Sequence, residues 1–157
     1  MDDYHTYLRS TFEVALNARK KGNHPFGAVL VDEYGQILIK AENTVISAKD
    51  STGHAELNLI REASGKFDRE FLSRCALYTS TEPCPMCAGA IFWANVRKVI
   101  YGLGEKGLYE MAGFESEDVL YLPFRDIFQK GNKPIEVVGP MLEVEAREVH
   151  KGFWRTE

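Results

Sequence analysis

The chain has 157 residues, with 45% hydrophobic residues, 27% charged residues and a formal charge of −4 at pH 7. That length is one domain, residues 1–157, since two full cores would need more chain. The composition excludes disordered, collagen-like and coiled-coil chains, and the acidic balance argues against a surface built to hold phosphates.

Three Cys, an odd number, exclude a fully paired disulfide framework. Cys84 and Cys87 stand as C-x-x-C, a spacing that in an intracellular chain points to metal or redox chemistry. The opening residues Met1-Asp2-Asp3-Tyr4 lack the basic-then-apolar layout of a signal peptide. No apolar run approaches the ~20 residues needed to cross a bilayer. A cytoplasmic protein with no membrane partner is expected.

Residues 3–21 are predicted to form a helix, with Leu8, Phe12, Ala15 and Leu16 on one face and Gly22 as the stop. Residues 26–31 and 36–41 read as the strands of a hairpin around Asp32-Glu33-Tyr34-Gly35. A second helix covers 54–63, behind the capping run Ser51-Thr52-Gly53. Residues 75–80 are strand-like. A further helix opens at Pro83-Cys84-Pro85 and runs through Asn95, Pro85 being suited to a first turn where its missing N–H costs little. Residues 97–102 are β-rich, 104–131 show no clear period, 135–138 read as a further strand and 141–153 as a C-terminal helix. The order hairpin, helix, strand, helix, strand implies a mixed or parallel sheet with helices on both faces, a three-layer α/β/α sandwich.

Two segments carry chemistry: His54-Ala55-Glu56 and Pro83-Cys84-Pro85-Met86-Cys87. Cys84 and Cys87, three apart on a first helical turn, project from one face, and the positive helix end favours thiolates. His54 supplies an imidazole nitrogen. Three ligands match a catalytic zinc site, which keeps its fourth position for water. Glu56 stands roughly 200° around a helix axis from His54, yet at a helix N-terminus both can flank a site at the helix end. A carboxylate there can take a proton from the metal's water and pass it on. Two plainer readings compete. A redox pair leaves His54-Ala55-Glu56 unexplained, and a structural zinc site needs a fourth ligand, whereas Cys75 reads as a buried small hydrophobe.

Together the segments fit H-x-E…P-C-x-x-C, the pattern of zinc-dependent nucleobase deaminases. The chain resembles the cytidine/deoxycytidylate deaminase superfamily through Pro25 to Val31, Glu42-Asn43, His54-Ala55-Glu56 and Leu77 to Tyr101. The resemblance implies the cytidine deaminase-like fold with a central mixed sheet, a homodimer, and one Zn2+ per subunit held by His54, Cys84 and Cys87. The tRNA-adenosine branch has an Asp-Pro-Lys loop after its fifth strand and an Arg-rich last helix. Here the loop reads Gly104-Glu105-Lys106-Gly107-Leu108-Tyr109, and residues 141–157 hold Arg147, Lys151 and Arg155 against Glu143, Glu145, Glu148 and Glu157. Trp93, after the cysteines, and Ala112-Gly113-Phe114-Glu115 resemble the guanine deaminase branch instead. By that resemblance Glu115 joins Glu56 as a catalytic acid, Asn43 hydrogen-bonds the ring, and Phe26 and Trp93 pack on it. Read from their surroundings alone, Phe26 and Trp93 are core aromatics, Asn43 a turn residue and Glu115 part of a solvated acidic run. His5, His24 and His150 receive no role, and Phe153-Trp154 caps either a pocket or a dimer seam.

The expected function is hydrolytic deamination of a free nucleobase or nucleoside, guanine to xanthine and ammonia, or guanosine. The alternatives are a tRNA-specific adenosine deaminase, a cytosine or isocytosine deaminase, and a non-catalytic zinc scaffold, against which Glu56 argues. The expected partner is a small molecule rather than nucleic acid.

Overall fold

A computed structural model describes residues 3–154. Met1, Asp2 and the tail charges Arg155 and Glu157 lie outside the described residues.

Helix α1 spans Tyr4–Lys20, and its N-cap Asp3 accepts a hydrogen bond from the Thr6 amide. Its buried face carries Leu8, Thr11, Phe12, Ala15 and Ala18. Leu16, expected on that face, is 41% exposed. The helical period explains the miss, because Ala15 falls roughly 20° from Leu8 around the axis and Leu16 roughly 80°. The hairpin follows as β1 (Gly27–Val31) and β2 (Ile37–Glu42). Asp32 shapes its turn by accepting from the amides of Tyr34 and Gln36, while Gly35 takes the left-handed conformation at φ 86°. Gly27 admits α1 against the sheet, since a Cβ there would lie 2.5 Å from the Thr11 carbonyl oxygen.

After a short α2 (Val45–Ala48) come α3 (Ala55–Lys66), α4 (Arg69–Leu72), β3 (Ala76–Thr81), α5 (Pro85–Ala94) and β4 (Lys98–Leu103). The stretch without clear period resolves into α6 (Glu105–Ala112) and α7 (Phe124–Gln129). Strand β5 (Glu136–Val138) and α8 (Glu143–Glu148) complete the chain. The C-terminal helix is thus shorter than the expected 141–153. After Glu148 the chain leaves helix in turns that bury His150, with Gly152 at φ 74°.

The five strands lie in the order β2-β1-β3-β4-β5, antiparallel on either side of β1 and parallel from β3 to β5. Alternate residues face opposite layers, as the two-residue strand period requires. Leu30, Leu77, Val99 and Tyr101 pack with Leu59, Ile91 and Phe124 of α3, α5 and α7. Val29, Tyr78 and Ile100 pack with Leu8 and Phe12 of α1 and with Ala146 of α8 and Val149 just after it, joined by Leu103, where the alternation breaks at the end of β4. Helices on both faces make the three-layer α/β/α sandwich with a mixed central sheet. Cys75 is buried just before β3, its Sγ 3.5 Å from the Phe71 carbonyl oxygen, as expected of a small core residue. Because β3 and β4 run parallel, both deliver the segments that follow them, α5 and α6, to the same end of the sheet. Ligand sites of α/β sheets form at such strand ends.

Candidate active site

At that end two helix N-termini converge. His54 is the N-cap of α3, in extended conformation, with Glu56 in the first turn. Cys84 is the N-cap of α5, Pro85 follows at its first position, and Cys87 lies in its first turn. His54 Nδ1 stands 3.5 Å from Cys84 Sγ and 3.6 Å from Cys87 Sγ. Among the described residues these three form the group able to hold a metal ion.

The donor set can be tested against zinc. Tetrahedral coordination with Zn–S of about 2.3 Å and Zn–N of about 2.05 Å places nitrogen and sulfur about 3.6 Å apart. Both observed separations match that edge. A His and two Cys leave one of four positions for water, the arrangement of a catalytic rather than a structural site.

Electrostatics follow from the same packing. Hydrogen bonds from Cys87 and His54 bring the Cys84 thiol down to about 4. Cys87, bonded to that sulfur and buried, is pushed well above its usual value. His54 is raised by its bond to Cys84. Glu56 is 6% exposed, and burial, reinforced by the Cys84 charge, pushes its carboxyl up to about 7.

His54, Glu56 and Cys84 form one side of a cavity of about 920 Å³, with Cys87 buried outside its lining. His24, Phe26, Phe153 and Trp154 make an aromatic wall, with His24 5.9 Å from each of the last two rings. Glu105, Leu108, Tyr109, Ala112 and Gly113, from α6 and its end, face it. Burial, then the Glu82 carboxylate, pushes Glu105 up to about 7. Glu82 itself accepts from the amides of Glu105 and Phe124, fastening the starts of α6 and α7.

The structure brings together His54, Glu56, Cys84, Cys87 and Phe26. Asn43 is buried next to Phe26, its backbone amide donating to the Phe26 carbonyl and its Oδ1 accepting from the Val45 amide, and it is not among the residues that line the cavity. Two further expected site residues, Trp93 and the catalytic candidate Glu115, do not reach the cavity within one chain. Trp93 is 74% exposed, because it falls roughly 200° around α5 from the buried Ile91. Glu115 is exposed beyond Gly113, where a φ of 99° turns the chain out of α6. Sequence reading missed Glu105, Tyr109 and His24, since none belongs to a spaced motif and α6 showed no readable period. Phe153 and Trp154 line the cavity, which answers where that aromatic pair sits.

Residues 1–103 match the family described as the cytidine and deoxycytidylate deaminase zinc-binding region. The chain belongs to this family. It is a hydrolytic deaminase of the zinc-binding type, and the His/Cys/Cys group is the set that fits the metal. It is 44% identical over 149 residues to a probable cytosine deaminase of Schizosaccharomyces pombe, covering 94% of this chain and 90% of that one. It is 40% identical over 114 residues to a guanine deaminase of Bacillus subtilis, covering 72% of each. A solved structure of guanine deaminase from Bacillus subtilis superposes with a TM-score of 0.63 at 30% identity, covering all of this chain and 98% of that one. tRNA-specific adenosine deaminases are also among its relatives. Among the described residues no helix is long and apolar enough to cross a membrane.

Proposed function

We propose that the deaminase acts on a free, uncharged aminated base of the guanine type, releasing ammonia and leaving the oxo-base. The observation that carries this reading is the charge of the cavity. Its described lining contains Glu56, Glu82, Glu105 and Asp118 and neither Lys nor Arg. A polynucleotide requires cations along its backbone path, whereas a neutral planar base requires an apolar slot with a few polar groups. The aromatic wall of Phe26 and Trp154 supplies such a slot. The guanine choice is supported by Ala112-Gly113-Phe114-Glu115, whose first two residues line the cavity.

Bound zinc supplies a polarised water at neutral pH. With zinc held by His54, Cys84 and Cys87, Glu56 would accept a proton from the attacking water as the water oxygen bonds to the amino-bearing ring carbon, C2 of guanine. Glu56 then gives that proton to the neighbouring ring nitrogen, takes the remaining proton of the newly added hydroxyl and passes it to the departing amine, so that the carbon–nitrogen bond breaks with loss of ammonia and the oxo group forms. Asn43 has its Oδ1 occupied by the Val45 amide and lies outside the cavity lining, so only its amide hydrogens are left for a ring. Trp93 and Glu115 could touch a ring only from a second subunit, so their roles stand or fall with the expected homodimer.

A second reading, cytosine, is favoured by the 44% identity that extends along nearly the whole chain. Ammonia release from the purified zinc protein decides between them, with guanine, guanosine, cytosine, isocytosine, adenine and tRNA offered in parallel. The expected result is xanthine and ammonia from guanine. Silence on guanine and guanosine together with turnover of cytosine would replace the first reading by the second.

A further inference from the structure

The Glu105 carboxylate is the part of the cavity that this reaction leaves unused. The residue is 3% exposed, it lines the cavity together with His54, Glu56 and Cys84, and neither Oε1 nor Oε2 has a hydrogen-bond partner of good geometry among the described residues, the Tyr109 side chain being a weaker neighbour. Its neighbour Glu82 shows what a structural carboxylate does at this place, each oxygen accepting a backbone amide. Glu105 has no such task. A buried carboxylate without partners is costly, and native proteins retain one where a ligand completes it. The backbone holds it firmly, since its own amide donates to Glu82 and Gly104 caps the helix beneath it.

Glu105 is shared between its neutral and ionised forms near pH 7; the ionised form only accepts hydrogen bonds, so the ligand that stabilises it is an N–H donor. Aminated nucleobases present such donors away from the hydrolysed edge, above all at the ring nitrogen that carries the sugar in a nucleoside. We propose that Glu105 is a specificity-determining residue that accepts a hydrogen bond from a ring N–H of the substrate, on an edge that is not hydrolysed. This rests on the reading of the cavity as the deaminase site. A site built in this way rejects an analogue lacking the donor, because the buried acceptor is then left unpaired. The enzyme accordingly takes a base with that N–H in place and discriminates against the same base alkylated there.

The test compares guanine with 1-methyl-, 7-methyl- and 9-methylguanine in the wild-type zinc enzyme and in Glu105→Gln and Glu105→Met. In the wild type, methylation at one ring nitrogen lowers kcat/KM about 10- to 100-fold, the range of a hydrogen bond to a charged group. Glu105→Gln keeps the shape and lowers the charge, so it weakens turnover of guanine about tenfold, mainly through KM, and leaves the discriminated methyl compound unchanged. Glu105→Met removes the acceptor, and the ratio between parent and methyl compound falls towards one. Zinc content and thermal melting establish that each variant is folded. If the Met variant does not fold, the isosteric Gln variant carries the comparison alone. Equal losses on parent and methylated bases would make Glu105 a structural or steric element and overturn the proposal. So would a wild type indifferent to all three methyl groups. Should cytosine and not guanine prove to be the substrate, the guanine reading fails, and cytosine against 1-methylcytosine tests Glu105 in its place.

Discussion

His150 should make this protein lose stability as the pH falls from 7.5 to 5, and the structure states by how much. The imidazole is fully buried. Its Nδ1 accepts from Trp154 Nε1 at 3.2 Å, which places the ring proton on Nε2, 3.3 Å from Thr81 Oγ1. Phe26 stands edge-on at 5.4 Å between centroids and Trp154 stacks at 6.1 Å. A second ring proton would have to face the indole N–H, donor against donor, in an apolar setting with Arg19 as the nearby charge. Burial, and then that Arg19 charge, depress the group from 6.5 to about 4. Below pH 6.5 the unfolded chain therefore takes up a proton that the folded chain refuses until about pH 4, so stability falls with falling pH across that window. At pH 5 the deficit spans about 1.5 pH units at ~1.36 kcal/mol each, or about 2 kcal/mol. Urea unfolding of the zinc protein and of His150→Gln, at pH 7.5 and pH 5, isolates this contribution, because the other titrating groups are common to both chains. The stability difference between wild type and variant should shift by about 2 kcal/mol against the wild type on acidification. Parallel pH dependence of the two chains would refute the account of a neutral His150.

Replacing Glu56 with Gln should leave zinc bound and lower kcat at least 100-fold, the scale of a lost general acid–base, and full turnover in that variant would remove Glu56 from the reaction. Cys87→Ser should reduce bound zinc well below one per chain by metal analysis, together with ammonia release, since a hard hydroxyl is a poor replacement for a thiolate. Stoichiometric zinc in that variant would mean that Cys87 is not a ligand. Gly27→Ala would set a methyl group 2.5 Å from Thr11 O and 2.6 Å from Ala15 N. Lifting α1 off β1 to admit it should cost about 1–3 kcal/mol in chemical denaturation. An unchanged midpoint would show that α1 yields at no cost.

The group able to hold a metal was legible in the linear sequence for a specific reason. His54 with Glu56, and Cys84 with Cys87, are each placed by a single first turn of helix, so short-range spacing carries their geometry. The layers were legible as well, because the two-residue alternation of β1, β3 and β4 states which side chains meet which helical layer. Leu16 shows the limit of that reading, where one position of helical drift moves a leucine from core to surface. The region 104–131 resisted because α6 and α7 are short, and the contacts that stabilise them come from β4, α5 and Glu82 rather than from their own period.

By itself, then, the sequence determined the α/β layering, the His/Cys/Cys group able to hold a metal and the acid beside it, all consequences of contacts within a turn or a strand pair. Only the tertiary structure decided what surrounds the metal. His24, Phe153 and Trp154 come from opposite ends of the chain, and Glu105 from a helix with no readable pattern, to wall one cavity. It likewise left Trp93 and Glu115 outside that cavity. Such groupings depend on which strands pair and which helix crosses which face, and residues separated by a hundred positions carry no local spacing from which that could be read.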